Sequence, residues 1–598
     1  MKKGAGRRQD TPARAPPESA QNRQLSYGRK PLKTCLLACR LRADLGALRR
    51  LCKERSREEA CSTCILLVYC LNRNRLAGFS LINKEKLVKF FKKLSKSKAV
   101  YLAAALLFQM LILLLLLTYF SRSFLPVYYL QLILSVVVSI VVINRDSDSS
   151  SKLLWVFVIM ALPFFGGMLY LLFGGRKIPK ALMVQDRQAY ADYAAYAEQN
   201  LQTLKDVDIE DPVLRRMTYM AWNNGFFPVY ANSAARYYPT GEAQFDGFME
   251  AIREAKDYIF IETYIIDEGS VLDELLEVLE QKAKEGVDVR LIYDDFGCMV
   301  NVPENFAQML KSKGIKAHAF NPIHPQLAIQ MNNRDHRKTI IIDGKTAFTG
   351  GSNIADEYVN RIERFGYWKD MGVRVDGPAV EPFIIAFLQM WNYASEVSTP
   401  YEMYIRDESE FPRRENEGFV IPFFDSPTDD KTVGRKFHLN LINSANKTCW
   451  ITTPYLILDS DMVSMLELAV QNGVDVRIVV PGIPDKKIVY EVTKANSELL
   501  TRKGIKVYEY TPGFIHGKVT LVDGKHALAG TVNMDFRSYY TNYECGIWMY
   551  NPSCIPAIED DFETIFSQSQ LVTEERIAKT NWFIRQYRMV LRIFSPLL

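Results

Sequence analysis

The sequence predicts an α/β protein made of two copies of one domain, preceded by helices that cross a membrane. Three observations carry this. The stretch HRKTIIIDGKTAFTGGSN at 336–353 recurs as HGKVTLVDGKHALAGTVN at 516–533. Strand-like and helix-like patterns alternate in the same order around each copy, which is the signature of a layered α/β sheet. Three apolar runs, at 99–120, 124–143 and 153–173, precede both copies, and each is about 20 residues, enough for ~30 Å of hydrocarbon.

Residues 1–81 are rich in Arg, Ala and Pro, without a sustained period, and read as a basic, disordered extension. Six of the ten cysteines fall here: Cys35, Cys39, Cys52, Cys61, Cys64 and Cys70. Cys61 and Cys64 form a CxxC, but no second pair completes a zinc set. The change in composition near Ile82 also fits an upstream stretch translated ahead of the true start. Residues 82–98 read as a basic amphipathic helix on an anionic membrane surface. Leu87, Phe90, Phe91 and Leu94 share one face, and Lys86, Lys89, Lys92, Lys93 and Lys96 surround it. Residues 1–98 carry a net charge of about +18, leaving about −12 for the rest, so the overall +6 does not indicate a nucleic-acid binder.

The three apolar runs are too long and too numerous for a cleaved signal peptide. Only Ser121–Ser123 separate the first two, which predicts a tight hairpin. The basic N-terminus favours the cytoplasm, and three spans from there put the remainder outside. Arg176, Lys177 and Lys180, after the third run, favour the cytoplasm instead, which a re-entrant run would reconcile.

Residues 176–218 form a polar, helical connector. The first repeat, 219–400, has a buried strand at 258–266, a helix at 271–285 and a strand at 286–294. Residues 401–430, with clustered Pro, Asp, Glu and Arg, read as a linker. The second repeat, 431–575, has the matching strand at 448–458, helix at 461–471 and strand at 473–481. GIK recurs at 314–316 and 504–506, so the repeat covers whole domains. Residues 576–598 set Trp582, Phe583, Tyr587, Val590, Leu591 and Phe594 among Arg585, Arg588 and Arg592. This amphipathic segment is suited to a lipid interface or to packing on the core.

Each 18-residue copy reads as strand–turn–strand: a β-branched run bounded by Asp-Gly. On a strand, His336 and Lys338 share a face, as do His516 and Lys518. Imidazole serves as nucleophile or proton shuttle near neutral pH. Lys338, Lys518, Asn353 and Asn533 can hold a phosphate. The plainer reading is two structural His–Lys pairs at strand ends. Duplication argues against it, because the chain has only six His and two fall at equivalent repeat positions. Asp343 and Asp523 sit in the Asp-Gly turns and read as structural, though they are letters of the motif. Asp370 and Glu544 follow the Asn of each copy in strand-like runs. From the residues alone, an edge-strand surface acid and a functional carboxylate are equal readings.

His-x-Lys-x4-Asp followed by Gly and Asn, present twice, resembles the phospholipase D superfamily. The flanks NNRDHRKTIIIDGKTAFTGGSNIADEY and IHGKVTLVDGKHALAGTVNMDFRS, behind hydrophobic helices, resemble bacterial cardiolipin synthases from about residue 124 onward. Asp335 stands where Asn is more usual, and Thr531 where Ser is usual. The resemblance implies two α/β/α sandwich domains related by a pseudo-two-fold axis, with both histidines in one cleft. It implies a catalytic set of His336, Lys338, Asp343, His516, Lys518 and Asp523, with Asp370 and Glu544 orienting the imidazoles. It implies no cofactor and no metal. The expected activity, in a bacterial plasma membrane, joins two phosphatidylglycerol molecules into cardiolipin and glycerol through a phosphohistidine on His336, with His516 as acid and base. The partners are phosphatidylglycerol and anionic lipids, not nucleic acid. A hydrolase or another headgroup exchanger would use the same residues. A non-catalytic lipid binder would not require two matched His–Lys pairs.

Overall fold

The computed structural model describes residues 125–598, apart from 146–147, 163–164, 175–182, several positions in 185–198, 323–332, 413, 415–416, 430 and 598, together with isolated positions at 108, 111 and 115. The expected basic extension, the 82–98 helix and nearly all of the first apolar run lie outside the described residues.

The second apolar run is one helix, Leu125–Ile143. The third is not. It divides into Ser149–Ala161 and Phe165–Phe173, with Leu162 leaving the helical region at φ −126° and ψ 73°. Pro163 follows Leu162, and a proline ring disfavours the α conformation in the residue before it. The two short helices fold back on each other. A Cβ at Gly166 would meet the Val158 carbonyl at 2.3 Å, so glycine permits that approach. Val142, Trp155, Ile159 and Tyr170 form the small core of this hairpin, with Trp155 edge-on to Tyr170 at 5.4 Å. Leu130, Ile133, Ile140, Leu153, Phe157 and Leu171 face outward. Among the described residues no helix is long and apolar enough to cross a membrane.

Among the described residues nine strands precede residue 377: β1 (Ala234–Tyr238), β2 (Tyr258–Thr263), β3 (Asp288–Asp294), β4 (Lys316–Phe320), β5 (Arg334–Asp335), β6 (Thr339–Ile342), β7 (Thr346–Gly350), β8 (Tyr367–Lys369) and β9 (Gly372–Asp376). Nine more follow: β10 (Phe419–Asp425), β11 (Thr448–Thr452), β12 (Asp475–Pro481), β13 (Lys506–Tyr510), β14 (Gly513–Ile515), β15 (Val519–Val522), β16 (His526–Gly530), β17 (Asn542–Tyr550) and β18 (Ser569–Leu571). The first sheet runs β1-β9-β7-β6-β2-β3-β4, and the second runs β10-β17-β16-β15-β11-β12-β13-β18. Apart from β18 the two orders are the same, so the repeat extends to topology. In each sheet the strand–helix–strand unit is parallel (β2 with β3, β11 with β12), and the motif hairpin joins it antiparallel. The crossover helices are Ser270–Lys284 and Ser460–Gln471, within a residue of expectation at each end.

Both motif hairpins turn through Asp-Gly. Asp343 and Gly344 have φ of 53° and 67°, and Asp523 and Gly524 have 54° and 62°, the type I′ pattern. Several boundaries differ from expectation: the strands expected at 258–266 and 448–458 end at Thr263 and Thr452. Residues 419–425, assigned to the linker, form β10, because Phe419 to Asp425 pair along β17. The helix Pro212–Gly225 crosses the expected connector boundary, and its Leu214, Met217 and Ala221 belong to the main core.

The sheets meet at their motif strands, where β16 packs on β7 and β9. Thr349 Oγ1 lies 3.3 Å from Cys545 Sγ across this seam. Tyr237 and Lys369 of the first half both bond Asp561 of the second, at 2.7 and 2.6 Å.

Candidate active site

His336 and Lys338 precede β6, and His516 and Lys518 precede β15, so neither pair lies inside a ladder as the sequence suggested. The reason is that each lead-in segment leaves its own sheet and bonds to the other half. β5 pairs in parallel with β17, and the His336 N–H donates to the Tyr543 carbonyl at 3.0 Å. β14 pairs in parallel with β8, and the His516 N–H donates to the Lys369 carbonyl at 2.7 Å. Each lysine ammonium donates back to the carbonyl of its own histidine, Lys338 at 2.7 Å and Lys518 at 2.5 Å.

The two exchanged strands bring each histidine to a carboxylate from the opposite half. His336 Nδ1 lies 3.0 Å from both oxygens of Glu544, and His516 Nδ1 lies 2.8 Å from Asp370 Oδ2. Engaging Nδ1 fixes the ring and leaves Nε2 as the other nitrogen. Both carboxylates are fully buried.

Their supports differ. Asp370 accepts from the Met371 N–H at 2.9 Å and from Trp368 Nε1 at 3.3 Å. Glu544 accepts from Thr531 Oγ1 at 2.5 Å and Asn542 Nδ2 at 3.3 Å. Gly351 stands where Thr531 stands in the second copy, and a Cβ there would lie 2.0 Å from Asp370 Oδ1. The shorter acid thus goes with glycine and the longer acid with threonine.

The electrostatics follow from burial and crowded cations. Burial, with Lys518 beside it, pulls His516 down to about 4. Burial and the surrounding charges of Lys338, Lys518, Lys486 and Arg537 hold His336 well below the ordinary value. Burial lowers Lys338 to about 8 and Lys518 to about 7. Burial would raise Asp370, but His516 and Lys518 outweigh it and hold the carboxyl at about 2. Burial wins at Glu544, which rises to about 7. The charge of Lys518 also bears on His336, and that of Lys338 on His516.

Asn353 Oδ1 accepts from the Ile265 N–H at 3.0 Å, while Asn533 Oδ1 is buried without a protein partner. Asp343 accepts from the N–H groups of Lys256, Asp257 and Tyr258, and Asp523 from those of Asn446, Lys447 and Thr448. These carboxylates clamp the strand β2 and β11 entrances. Asp335, which stands where Asn is more usual, bonds Arg337 Nε at 2.9 Å, and Arg337 bonds Glu262 at 2.7 Å. Aromatic walls were not foreseen. Tyr264 stands edge-on to His336 at 5.1 Å, and Tyr358, Trp368 and Phe514 surround His516 within 5.3–5.8 Å. Thr263 and Thr453 each bond the carbonyl two residues on, which aligns Tyr264 with Pro454, so repeat matching gave no signal there.

The family model described as "Cardiolipin synthase, PLD-like domain" matches residues 248–391 and 438–566, and "Phospholipase_D-nuclease N-terminal" matches 133–175. A cardiolipin synthase of Halalkalibacterium halodurans is 32% identical over 468 residues, 77% of this chain and 92% of that protein. The chain belongs to the phospholipase D-like cardiolipin synthase family. Another member, the cardiolipin synthase of Staphylococcus aureus, is 30% identical over 78% of this chain and 95% of its own length. A phosphatidylserine synthase from Haemophilus influenzae shares the two-domain fold, with a TM-score of 0.51 at 15% identity over 64% of this chain and all of that one.

Proposed function

We propose that the chain is a cardiolipin synthase that transfers a phosphatidyl group from one phosphatidylglycerol to the hydroxyl of another. The carrying observation is the exchange of carboxylates, which orients two imidazoles, each beside a buried lysine. His336 Nε2 attacks phosphorus, and the bond from phosphorus to the departing glycerol oxygen breaks as His516 delivers a proton to that oxygen. His516 then takes the proton of the acceptor hydroxyl. The acceptor oxygen bonds to phosphorus, and the phosphorus–nitrogen bond breaks. Lys338, Lys518, Asn353 and Asn533 hold the non-bridging oxygens. Asp343 and Asp523 take no part in a step.

Two physical differences support this division. Asp370 stays ionised and can sustain an imidazolium on His516, the state an acid requires. Glu544 is less acidic and is held by Thr531, so it offers an imidazolium on His336 less support, while burial and the nearby cations keep that ring a neutral nucleophile. The incoming phosphodiester carries the negative charge that offsets both lysines and lifts His516 into a protonated state.

The domain division belongs to the same reading: a first unit near 219–400 and a second that begins with β10 instead of at 431. So does membrane attachment through residues 99–173, multi-pass as the sequence suggests. The outward apolar faces of Leu125–Ile143 and Ser149–Ala161 support that attachment.

The deciding experiment uses purified protein in detergent–phosphatidylglycerol mixed micelles without added alcohol. The expected products are cardiolipin and an equal amount of free glycerol. Phosphatidic acid in place of cardiolipin would make the protein a hydrolase.

A further inference from the structure

The helix Trp582–Ile593 is turned the wrong way for a water-facing surface. Trp582, Phe583, Tyr587, Met589 and Val590 are 48–74% exposed, whereas Arg588 is only 8% exposed. Arg588 faces inward, where Nε bonds Glu491 at 2.7 Å and Nη1 bonds Glu498. Leu591, beside it, packs on Ile457, Val492 and Phe536. A helix bordering water buries its apolar stripe and solvates its charges. This one buries an ion-paired arginine and leaves the aromatic face unpartnered.

We propose that Trp582–Ile593 is a lipid-docking helix that seats the cleft on an anionic bilayer, separately from the N-terminal hairpin. The inference rests on the membrane-enzyme reading above. Three features favour a bilayer as occupant. Trp and Tyr suit the headgroup level, where an apolar body meets a polar tip. Arg585 and Arg592, two turns apart, run along one border of the aromatic face, and exposed Lys579 precedes it, which complements anionic headgroups. The turn that follows, Ser595–Leu597, touches the helix Ser149–Ala161, whose Leu153 and Phe157 are also exposed.

The same helix is tied to the chemistry. Glu491 and Glu498 belong to the helix Lys487–Arg502. Lys486, just ahead of it, donates to Tyr455 at 3.3 Å and is among the charges that depress His336. Docking Trp582–Ile593 therefore sets the height of this wall of the cleft above the lipid.

The test compares full-length wild type with a Trp582→Glu, Phe583→Glu, Val590→Glu triple variant in mixed phosphatidylglycerol–phosphatidylcholine vesicles. Cardiolipin formation from vesicle lipid should fall roughly tenfold or more, as interfacial apolar area is replaced by like charge. Turnover of monomeric short-chain phosphatidylglycerol should be unchanged, which also reports that the variant is folded. In addition, lipids brominated along the acyl chain should quench tryptophan emission less in Trp582→Phe than in wild type. Equal vesicle activity in the triple variant, or equal quenching in Trp582→Phe, overturns the proposal. So does a smaller oligomer for the triple variant in detergent, since the face would then be covered by a second copy. If wild type makes no cardiolipin even from monomeric lipid, the enzymatic reading has failed, and the quenching comparison alone decides the docking.

Discussion

Asp370 and Glu544 hold equivalent histidines but differ in length, support and acidity, and the residue-scale predictions follow from that difference. With a phosphatidyl donor whose leaving group is p-nitrophenol, no proton is needed for departure. His516→Ala should then still release one burst of p-nitrophenol, while His336→Ala should release none; the reverse pattern would exchange the two roles. On phosphatidylglycerol itself each substitution should lower turnover by about 10³-fold or more, since nucleophile and acid are both lost from their steps. Gly351→Ala should behave like a weakened Asp370, because the added methyl falls 2.0 Å from Oδ1. Its turnover should drop with native-like folding, read by circular dichroism. The lysines give a pH signature. Their folded values, about 8 for Lys338 and about 7 for Lys518, lie below the ordinary 10.5. The unfolded chain thus binds more protons between about pH 7 and 10, and the empty enzyme should gain stability as pH rises through that window. Vanadate, by adding negative charge to the site, should reverse the trend and bind with proton uptake near pH 8. Melting curves and calorimetry in buffers of different ionisation enthalpy measure both, and uptake near zero would contradict the buried, neutral-leaning lysines. The motif letters were legible because the same few residue types recur at the same spacing in both copies. The acids' crossed partners were not, because spacing along a chain carries no information about which half a side chain will meet.

At the scale of elements, the motif glycines Gly350 and Gly530 have a steric origin. A Cβ on Gly530 would meet the Cys545 carbonyl at 2.4 Å and Gly546 Cα at 2.6 Å; one on Gly350 would meet the Met371 carbonyl at 2.5 Å. Both positions lie where the motif hairpin presses on the strand that carries or follows the acid. Gly530→Ala should cost roughly 1–3 kcal/mol by overpacking. It should also reduce turnover, because β17 must shift and Glu544 moves with it; an unchanged melting midpoint would refute the contact. Strand β2, helix Ser270–Lys284 and strand β3 were readable from apolar runs and their period, as were their counterparts β11, Ser460–Gln471 and β12. Strand β10 was not. Its sequence, FVIPFFD, carries a proline and lies directly after a charged stretch, so it resembles a linker until β17 offers its edge. The division of the third apolar run at Leu162 was signalled by Pro163, which the hydropathy of the run outweighed.

For the whole molecule, the exchange of β5 and β14 makes each half incomplete. Asp370→Asn should impair the step that uses His516 and spare the p-nitrophenol burst, although Asp370 lies in the first half. Glu544→Gln should diminish the burst although it lies in the second. A burst that responds to the acid in its own half would break the crossed assignment. The exchange has a further consequence, in terms of inheritance. In a symmetric pair of identical chains every substitution appears twice, so an acid shortened to suit one histidine is shortened for both. Here the partners are joined end to end and encoded separately, and each seam can change alone. Glycine beside aspartate on one side and threonine beside glutamate on the other are a record of that independence. It allows two inherited copies of one imidazole to become specialists, which two identical subunits could not do.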